Sequence, residues 1–369
     1  MPRPVAGKLT SAVSLDRRTL LRGLTAGTGT VLMPGAIASA RAEDDLAQET
    51  TIEVTARPIP AFDGSNPEQT RFGNLEYRGG VSLYSSSRHF GGLSGLVVEP
   101  DGKALLAVTD VGNWLSAEIT YEGSKPSGLK AARIGPLRDE DGAPLQDKKS
   151  QDAESITLLE GSLQKGQVLV GFERQQRLVP YAVAGRSITG SAGKALKPPA
   201  DVKKIPRNQG FEAVARLKAG PHAGAVIAFA ERFTRGSGYH TGWLWIAGEP
   251  QKLQLKDIDG FDITDAAGLD NGDLLVLERR FRWTEGVQMR LRRLQAREIA
   301  PGARLTGEVL LAANGDYHID NMEGLAVHRD PQGQTVLTLI SDDNFNRFLQ
   351  RTMLLQFTLL DKAGSAVRT

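Results

Sequence analysis

One unit recurs along the chain: a carboxylate, a short apolar strand, a turn, a second apolar strand and a second carboxylate. The clearest copy runs from Asp320 to Asn344, DNMEGLAVHRDPQGQTVLTLISDDN. Glu323 opens the strand Gly324-Leu325-Ala326-Val327, Pro331-Gln332-Gly333 makes the turn, and Val336 to Ile340 returns to Asp342. Period-two apolar residues on both sides of a Gly/Pro turn specify an antiparallel hairpin. The start of its first strand and the end of its second share one end. Glu323 and Asp342, nineteen positions apart, are therefore expected to be neighbours. Glu154 with Glu173 and Glu212 with Glu231 bracket two further copies at the same spacing. Asp265 to Glu278 and Ser94 to Asp110 are looser copies.

With residues 95, 155, 213, 267 and 324 taken as equivalent, the steps are 60, 58, 54 and 57. A period in the fifties with several strands per period specifies a β-propeller. The expected fold is all-β, a propeller of five or six four-stranded blades around a central channel. The anchors count five blades, and a sixth would draw on residues 51–90. Thr51 to Arg57, stopped by Pro58 and Pro60, and Leu75 to Tyr84 are the strands expected to close the ring by joining the last blade. Residues 139–150 form a polar loop between blades, and the four Trp (Trp114, Trp243, Trp245, Trp283) are expected to pack between blades.

The chain has no Cys, which removes disulfides and thiolate chemistry from consideration. Compartment must therefore be read from the N-terminus. Ser14-Leu15-Asp16-Arg17-Arg18-Thr19-Leu20-Leu21-Arg22 resembles a twin-arginine export signal. A mildly apolar stretch from Gly23 to Ala38 follows, then small-residue cleavage sites at Ala38-x-Ala40 and Ala40-x-Ala42. The stretch is too short and too rich in Gly and Thr to span a bilayer permanently. This reading divides the chain into a signal peptide (1–42), a linker and closing-strand region (43–70), the propeller (71–362) and a tail (363–369). It expects passage through the twin-arginine export machinery to the periplasm. The whole chain has a net charge of +2. Cleavage after Ala42 removes six basic groups and one acid, leaving 39 basic and 42 acidic groups, net −3. The basic excess belongs to the leader, so no nucleic-acid partner is expected.

In a propeller the innermost strands line the channel. The repeat therefore expects a ring of acids at one mouth: Glu154, Glu212 and Glu323 with Asp110, Glu173, Glu231, Glu278 and Asp342, joined by Asp265 and Asp320. Converging carboxylates repel one another unless a cation or Arg sits among them. Arg174, Arg232 and Arg279 each directly follow an acid and are expected to pair with a neighbouring blade's carboxylate. A hard divalent cation such as Ca2+, which takes six to eight oxygen ligands, is the other remedy. The candidate ligands are Asp110, Glu173, Glu231, Glu278, Asp320, Asn321, Asp342 and Asp343. Glu154, Glu212 and Glu323 are candidate bases, and Arg174 and Arg232 candidate stabilisers of developing charge. The competing reading is that these acids only cap turns or tie blades together through Arg. The five His are scattered, against a zinc site. Gly92-Leu93-Ser94-Gly95-Leu96 lacks the spacing of a nucleophile elbow, and no P-loop or dinucleotide fingerprint is present.

Several segments together resemble a known family. They are Phe90-Gly91-Gly92-Leu93-Ser94-Gly95-Leu96, Thr109-Asp110-Val111-Gly112-Asn113-Trp114, Asp152-Ala153-Glu154-Ser155 and Gly171-Phe172-Glu173-Arg174. Gly210-Phe211-Glu212-Ala213, Leu277-Glu278-Arg279-Arg280-Phe281, Asp320-Asn321-Met322-Glu323-Gly324 and Ser341-Asp342-Asp343-Asn344-Phe345 complete the set. From roughly Phe72 to Leu360 the chain resembles the bacterial exported proteins called esterase-like activity of phytase, or phytase-like domain. That resemblance implies a propeller and hydrolysis of small phosphate or carboxylic esters, by analogy with calcium-dependent propeller phytases. Those enzymes have six blades and bind several calcium ions at an acidic channel mouth. Their ligands do not carry over, because the local motifs here differ. Two other functions compete: a non-catalytic propeller that binds a ligand or protein on its acid face, and a lactonase-type propeller with one channel calcium, for which Asn321 or Asn344 would serve as the channel Asn.

Overall fold

The computed structural model describes residues 46–205, 209–230 and 237–360. The leader (1–42), the tail (363–369), Glu231 and Arg232 lie outside the described residues. Four strands come first: β1 (Thr50–Thr51), β2 (Thr55–Ile59), β3 (Arg71–Phe72) and β4 (Leu75–Tyr84). The first blade then runs outward from the channel through β5 (Leu93–Val98), β6 (Ala104–Thr109), β7 (Asn113–Glu122) and β8 (Lys125–Pro136), with β1 at its edge. A single helical turn, α1 (Lys148–Gln151), ends the polar loop and leads into the second blade. That blade is β9 (Ala153–Gly161), β10 (Lys165–Phe172), β11 (Arg177–Ala184) and β12 (Ser187–Thr189).

The third blade is β13 (Phe211–Arg216), β14 (Val226–Ala230), β15 (Tyr239–Ile246) and β16 (Glu249–Lys256). The fourth begins with β17 (Asp262–Gly268), β18 (Leu274–Arg282) and β19 (Gly286–Leu294). The chain then gives β20 (Arg304–Leu305) as a parallel edge to β16 before completing the fourth blade with β21 (Glu308–Ala313). The fifth is β22 (Met322–Arg329), β23 (Thr335–Ser341) and β24 (Thr352–Leu359), and β4 and β2 complete it from the N-terminal side. The fold is thus a five-bladed β-propeller, and residues 55–84 close the ring instead of making a sixth blade. The sheets hold five, four, five, four and six strands, four-stranded blades to which short edge and closing strands are added. Pro58 lies inside β2 and does not stop it, because β2 is an edge strand that can spare a backbone donor.

The apolar pattern explains the stacking. Both faces of a blade are covered by its neighbours, so its inner strands read as continuous apolar runs. Leu105 and Ala107 of β6 face the fifth blade, while Leu106 and Val108 face the second. Leu275 and Leu277 of β18 face the fifth blade, and Leu274 and Val276 the third. Trp114 fills the seam between the first two blades, and Trp243 and Trp245 the next. Trp283 does not follow: it is 72% exposed in the β18–β19 turn, edge-on to Phe281.

Each innermost strand carries a register shift against its neighbour at the same place. The unpaired residues are Gly95, Glu154, Glu212, Thr264 and Glu323. A bulge of this kind bends the strand and re-aims one side chain. Five aligned bulges therefore place Glu154, Glu212 and Glu323 around one end of the channel. Gly95 occurs where β5 and β9 nearly touch: a Cβ there would lie 2.7 Å from the Ile156 nitrogen, and its φ is +65°. Neighbouring inner strands are also stitched together. Ser155 Oγ donates to the Phe211 carbonyl at 2.7 Å, and Thr264 Oγ1 to the Met322 carbonyl at 3.1 Å.

Candidate acidic metal site

Carboxylates from the second blade converge on one side of the mouth. One oxygen from each of Asp152, Glu154 and Glu173 lies within 4.8 Å of the others, and all three residues are buried. Asp152 ends α1 and precedes β9, Glu154 is the bulge residue two positions on, and Glu173 follows β10. The Glu173 amide donates to the Asp152 carbonyl at 2.9 Å, which fixes the strand ends side by side. Arg174 Nε lies 2.5 Å from Asp152 Oδ2 and offsets one of the three negative charges. Arg174 therefore pairs within its own blade, whereas the sequence reading has it pair with a neighbouring blade. Gly210 makes the juxtaposition with the third blade possible, since a Cβ there would fall 2.1 Å from Glu173 Cα.

The third and fifth blades contribute further acids. Glu212, 2% exposed, is the bulge of β13. Glu323, 3% exposed, is the bulge of β22, and Arg279 Nε of the fourth blade lies 3.5 Å from its Oε1. That contact does cross between blades. Asp342 stands beside the start of β22, with its amide donating to the Asn321 carbonyl at 2.8 Å and its Oδ1 accepting from the Asn344 amide at 2.7 Å. Asp343 Oδ1 accepts from the Gly92 amide at 3.3 Å and the Phe345 amide at 3.0 Å. Asp110 lies at the same corner, donating its amide to the Gly92 carbonyl at 3.0 Å. Asn321 is 1% exposed, and among the described residues neither atom of its amide group has a hydrogen-bond partner.

Three expected members are placed elsewhere. In the fourth blade Arg279, and not Glu278, pairs with Asp262 at the strand end, so Arg279 occupies the position of Glu173 and Asp342. Glu278 is buried in the seam between the third and fourth blades. It binds Arg290 Nε at 2.7 Å and Arg292 Nη2, and burial pushes its carboxyl up against the pull of the two guanidiniums. Asp265 follows the bulge residue Thr264, and its oxygens accept from the backbone amides of Ala266 and Leu325 at 2.8 and 2.7 Å. Asp320 accepts from the Asn321 and Arg351 amides at 2.9 and 3.1 Å, the work of a turn cap. Burial also pushes the Asp320 carboxyl up. Asp152 is the residue that sequence reasoning left out of the site. Its signal was the D-x-E spacing Asp152-Ala153-Glu154, repeated as Asn321-Met322-Glu323.

The donor set is all oxygen and fits a hard cation such as calcium or magnesium, not a soft thiolate-seeking metal. The orphaned Asn321 amide supplies a further neutral oxygen at the same end of the disc. Fold and site together define a five-bladed propeller with a carboxylate cluster suited to chelating a cation at one channel mouth. Its family follows from the sequence. The family model for phytase-like proteins, described as esterase-like activity of phytase, matches residues 88–345, and the chain belongs to that family. No curated protein matches the chain significantly. Among solved structures, the α-L-arabinofuranosidase from Podospora anserina in complex with cellotriose aligns at 10% identity. That alignment covers 75% of this chain and 94% of that one, with a TM-score of 0.42. U3-55K aligns at 13% identity over 74% and 96% of the two chains, with a TM-score of 0.36.

Proposed function

We propose that the protein is a periplasmic hydrolase of small phosphate or carboxylic esters that works with a divalent cation, calcium, at the acid mouth. The observation that carries this reading is the buried Asp152, Glu154 and Glu173 triplet within 4.8 Å, in a chain of the phytase-like family. Those three residues would hold the cation. When bound, it would supply positive charge for an ester oxygen and acidify a water. Glu212 and Glu323 stand at the same end of the disc as carboxylates able to accept a proton from water. Arg174 and Arg279, each paired to an acid of the mouth, keep guanidinium charge where an oxyanion would develop. Export rests on the paired arginines Arg17 and Arg18 with the apolar stretch behind them, which also names the twin-arginine machinery as a partner.

The test is hydrolysis of p-nitrophenyl phosphate and p-nitrophenyl acetate by the mature chain, with calcium and with chelator. Activity on either that requires calcium and falls at least a hundredfold in Glu154→Gln supports the reading. Calcium-independent turnover, or none on any ester, sinks it. The orphaned Asn321 amide favours the lactonase-type variant of the same chemistry, for which a γ-lactone joins the panel. Cell fractionation of an Arg17→Lys, Arg18→Lys double variant tests the compartment.

A further inference from the structure

The opposite mouth of the channel is built differently. All five inner strands or the turns after them open there onto a cavity of about 300 Å³. Its walls are apolar, with Val98, Leu158, Ala267 and Val327 among them. Its rim is cationic: Arg216 and Lys218 come from the third blade and Arg329 from the fifth. Asp270 of the fourth blade lies between two of them, 3.0 Å from Lys218 Nζ and 2.8 Å from Arg329 Nε. Burial pushes the Asp270 carboxyl up, but hydrogen bonds and charge from Arg329 and Lys218 outweigh it and hold the group below the usual carboxylate range. Asp270 is thus fully committed to those two cations. Arg216 is half-buried, and among the described residues no carboxylate pairs with it. Glu160 is the other acid on the rim, at the end of the second blade's inner strand. His328 lies on the wall with its ring turned away into the seam between the fifth and first blades, 3.1 Å from Thr338 Oγ1 and against Gly102.

We infer that this mouth is a second binding site, separate from the acid cluster, for a small carboxylate with an apolar body. A guanidinium offers a carboxylate two parallel N–H donors, and Arg216 carries its head group at the rim, with Nη2 beside Gly224 on the β13–β14 turn. The apolar channel wall behind it receives the rest of the ligand, and the volume matches the lower end of small-molecule pockets, about 300 Å³. The two mouths are therefore of opposite preference, one for cations and one for an organic anion.

Calorimetric titration of the full chain with benzoate, benzamide and inorganic phosphate tests this. Benzoate is expected to bind at least tenfold more tightly than its neutral isostere benzamide. Arg216→Gln should weaken benzoate at least tenfold, Arg216→Lys less, and Glu160→Gln should strengthen it. Melting curves of the variants establish that each folds, and calcium titration of Arg216→Gln should match the parent, because the acid cluster lies at the other end. Absence of benzoate binding, equal binding of benzamide, or unchanged affinity in Arg216→Gln overturns the site. Tighter binding of phosphate than of benzoate overturns the apolar body.

Discussion

Arg279 and Glu323 meet across the seam between the fourth and fifth blades, with Nε 3.5 Å from Oε1 and both side chains at most 10% exposed. Three blades place an acid at the end of the second strand; the fourth places this arginine there, and its charge is turned toward the neighbouring bulge. Replacing Arg279 by Ala removes the contact and leaves a buried carboxylate less compensated. The expected loss is about 2 kcal/mol of unfolding free energy. A double-mutant cycle with Glu323→Gln should recover most of it in urea titrations, and full additivity would deny the coupling.

Glu278 is expected to matter for stability and not for the acid mouth. Its charge answers two guanidiniums, that of the fully buried Arg292 and that of Arg290. Breaking a buried ionic group by removing one member costs roughly 3–5 kcal/mol. Glu278→Gln should therefore lower the melting temperature sharply while leaving the size of the calcium-induced shift unchanged. A variant that melts like the parent would contradict the network.

Calcium itself should stabilise the parent. A ligand bound only by the folded state adds about 2.7 kcal/mol at a hundredfold excess over Kd. The rise in melting temperature between chelator and excess calcium should vanish in a Glu154→Gln, Glu173→Gln double variant. Persistence of the shift in that variant would move the cation elsewhere.

The pH dependence of stability should carry the mark of His328. Burial lowers its pKa from 6.5 to about 4, with Nε2 3.1 Å from Thr338 Oγ1. The unfolded chain then binds the proton more readily than the folded one. The stabilisation is complete above pH 6.5 and is lost as pH falls toward about 4, an effect of order 3 kcal/mol for a shift of that size. Comparing pH 7 with pH 4.5, His328→Gln should lose less stability than the parent by roughly 2 kcal/mol. Equal losses would remove His328 from the acid response.

Gly210→Ala probes the packing that holds the cluster. The added methyl would run into the backbone of Glu173, which cannot swing aside as a long side chain would. Overpacking of this sort costs about 2 kcal/mol, and the displaced Glu173 should weaken calcium binding in titration calorimetry.

The blade pattern was legible because stacked blades demand apolar residues on both faces, and runs such as Leu105 to Val108 or Leu274 to Leu277 meet that demand openly. The ring-closing strand Leu75–Tyr84 was legible from a different pattern, the alternation of apolar and polar residues at Leu75-Glu76-Tyr77-Arg78 and Val81-Ser82-Leu83. What stayed hidden was register. Leu277-Glu278-Arg279 reads like Phe172-Glu173-Arg174, yet pairing with β17 sets Arg279 where Glu173 stands, one residue along. A slip of one residue in a strand moves a side chain to the other face, and here it sends Glu278 into the seam. The bulges are backbone irregularities with no residue signature of their own, since Gly, Glu and Thr all occupy them. Asp152 stayed hidden because it lies before β9, outside the nineteen-residue frame that Glu154 and Glu173 mark.

The fifth blade is assembled from both sides of the described chain: Gln356 of β24 pairs with Gly79 of β4, 277 positions earlier. Few contacts in a protein of this length are less local, and folding slows as contacts become less local. Until β24 has been synthesised, β23 and β4 each present an open edge, the kind of surface that pairs with other chains. The ring thus makes its last strand a checkpoint. A nascent chain stopped before Thr352 has four stacked blades and two sticky edges, and passes from aggregation-prone to closed only when its final eight-residue strand arrives.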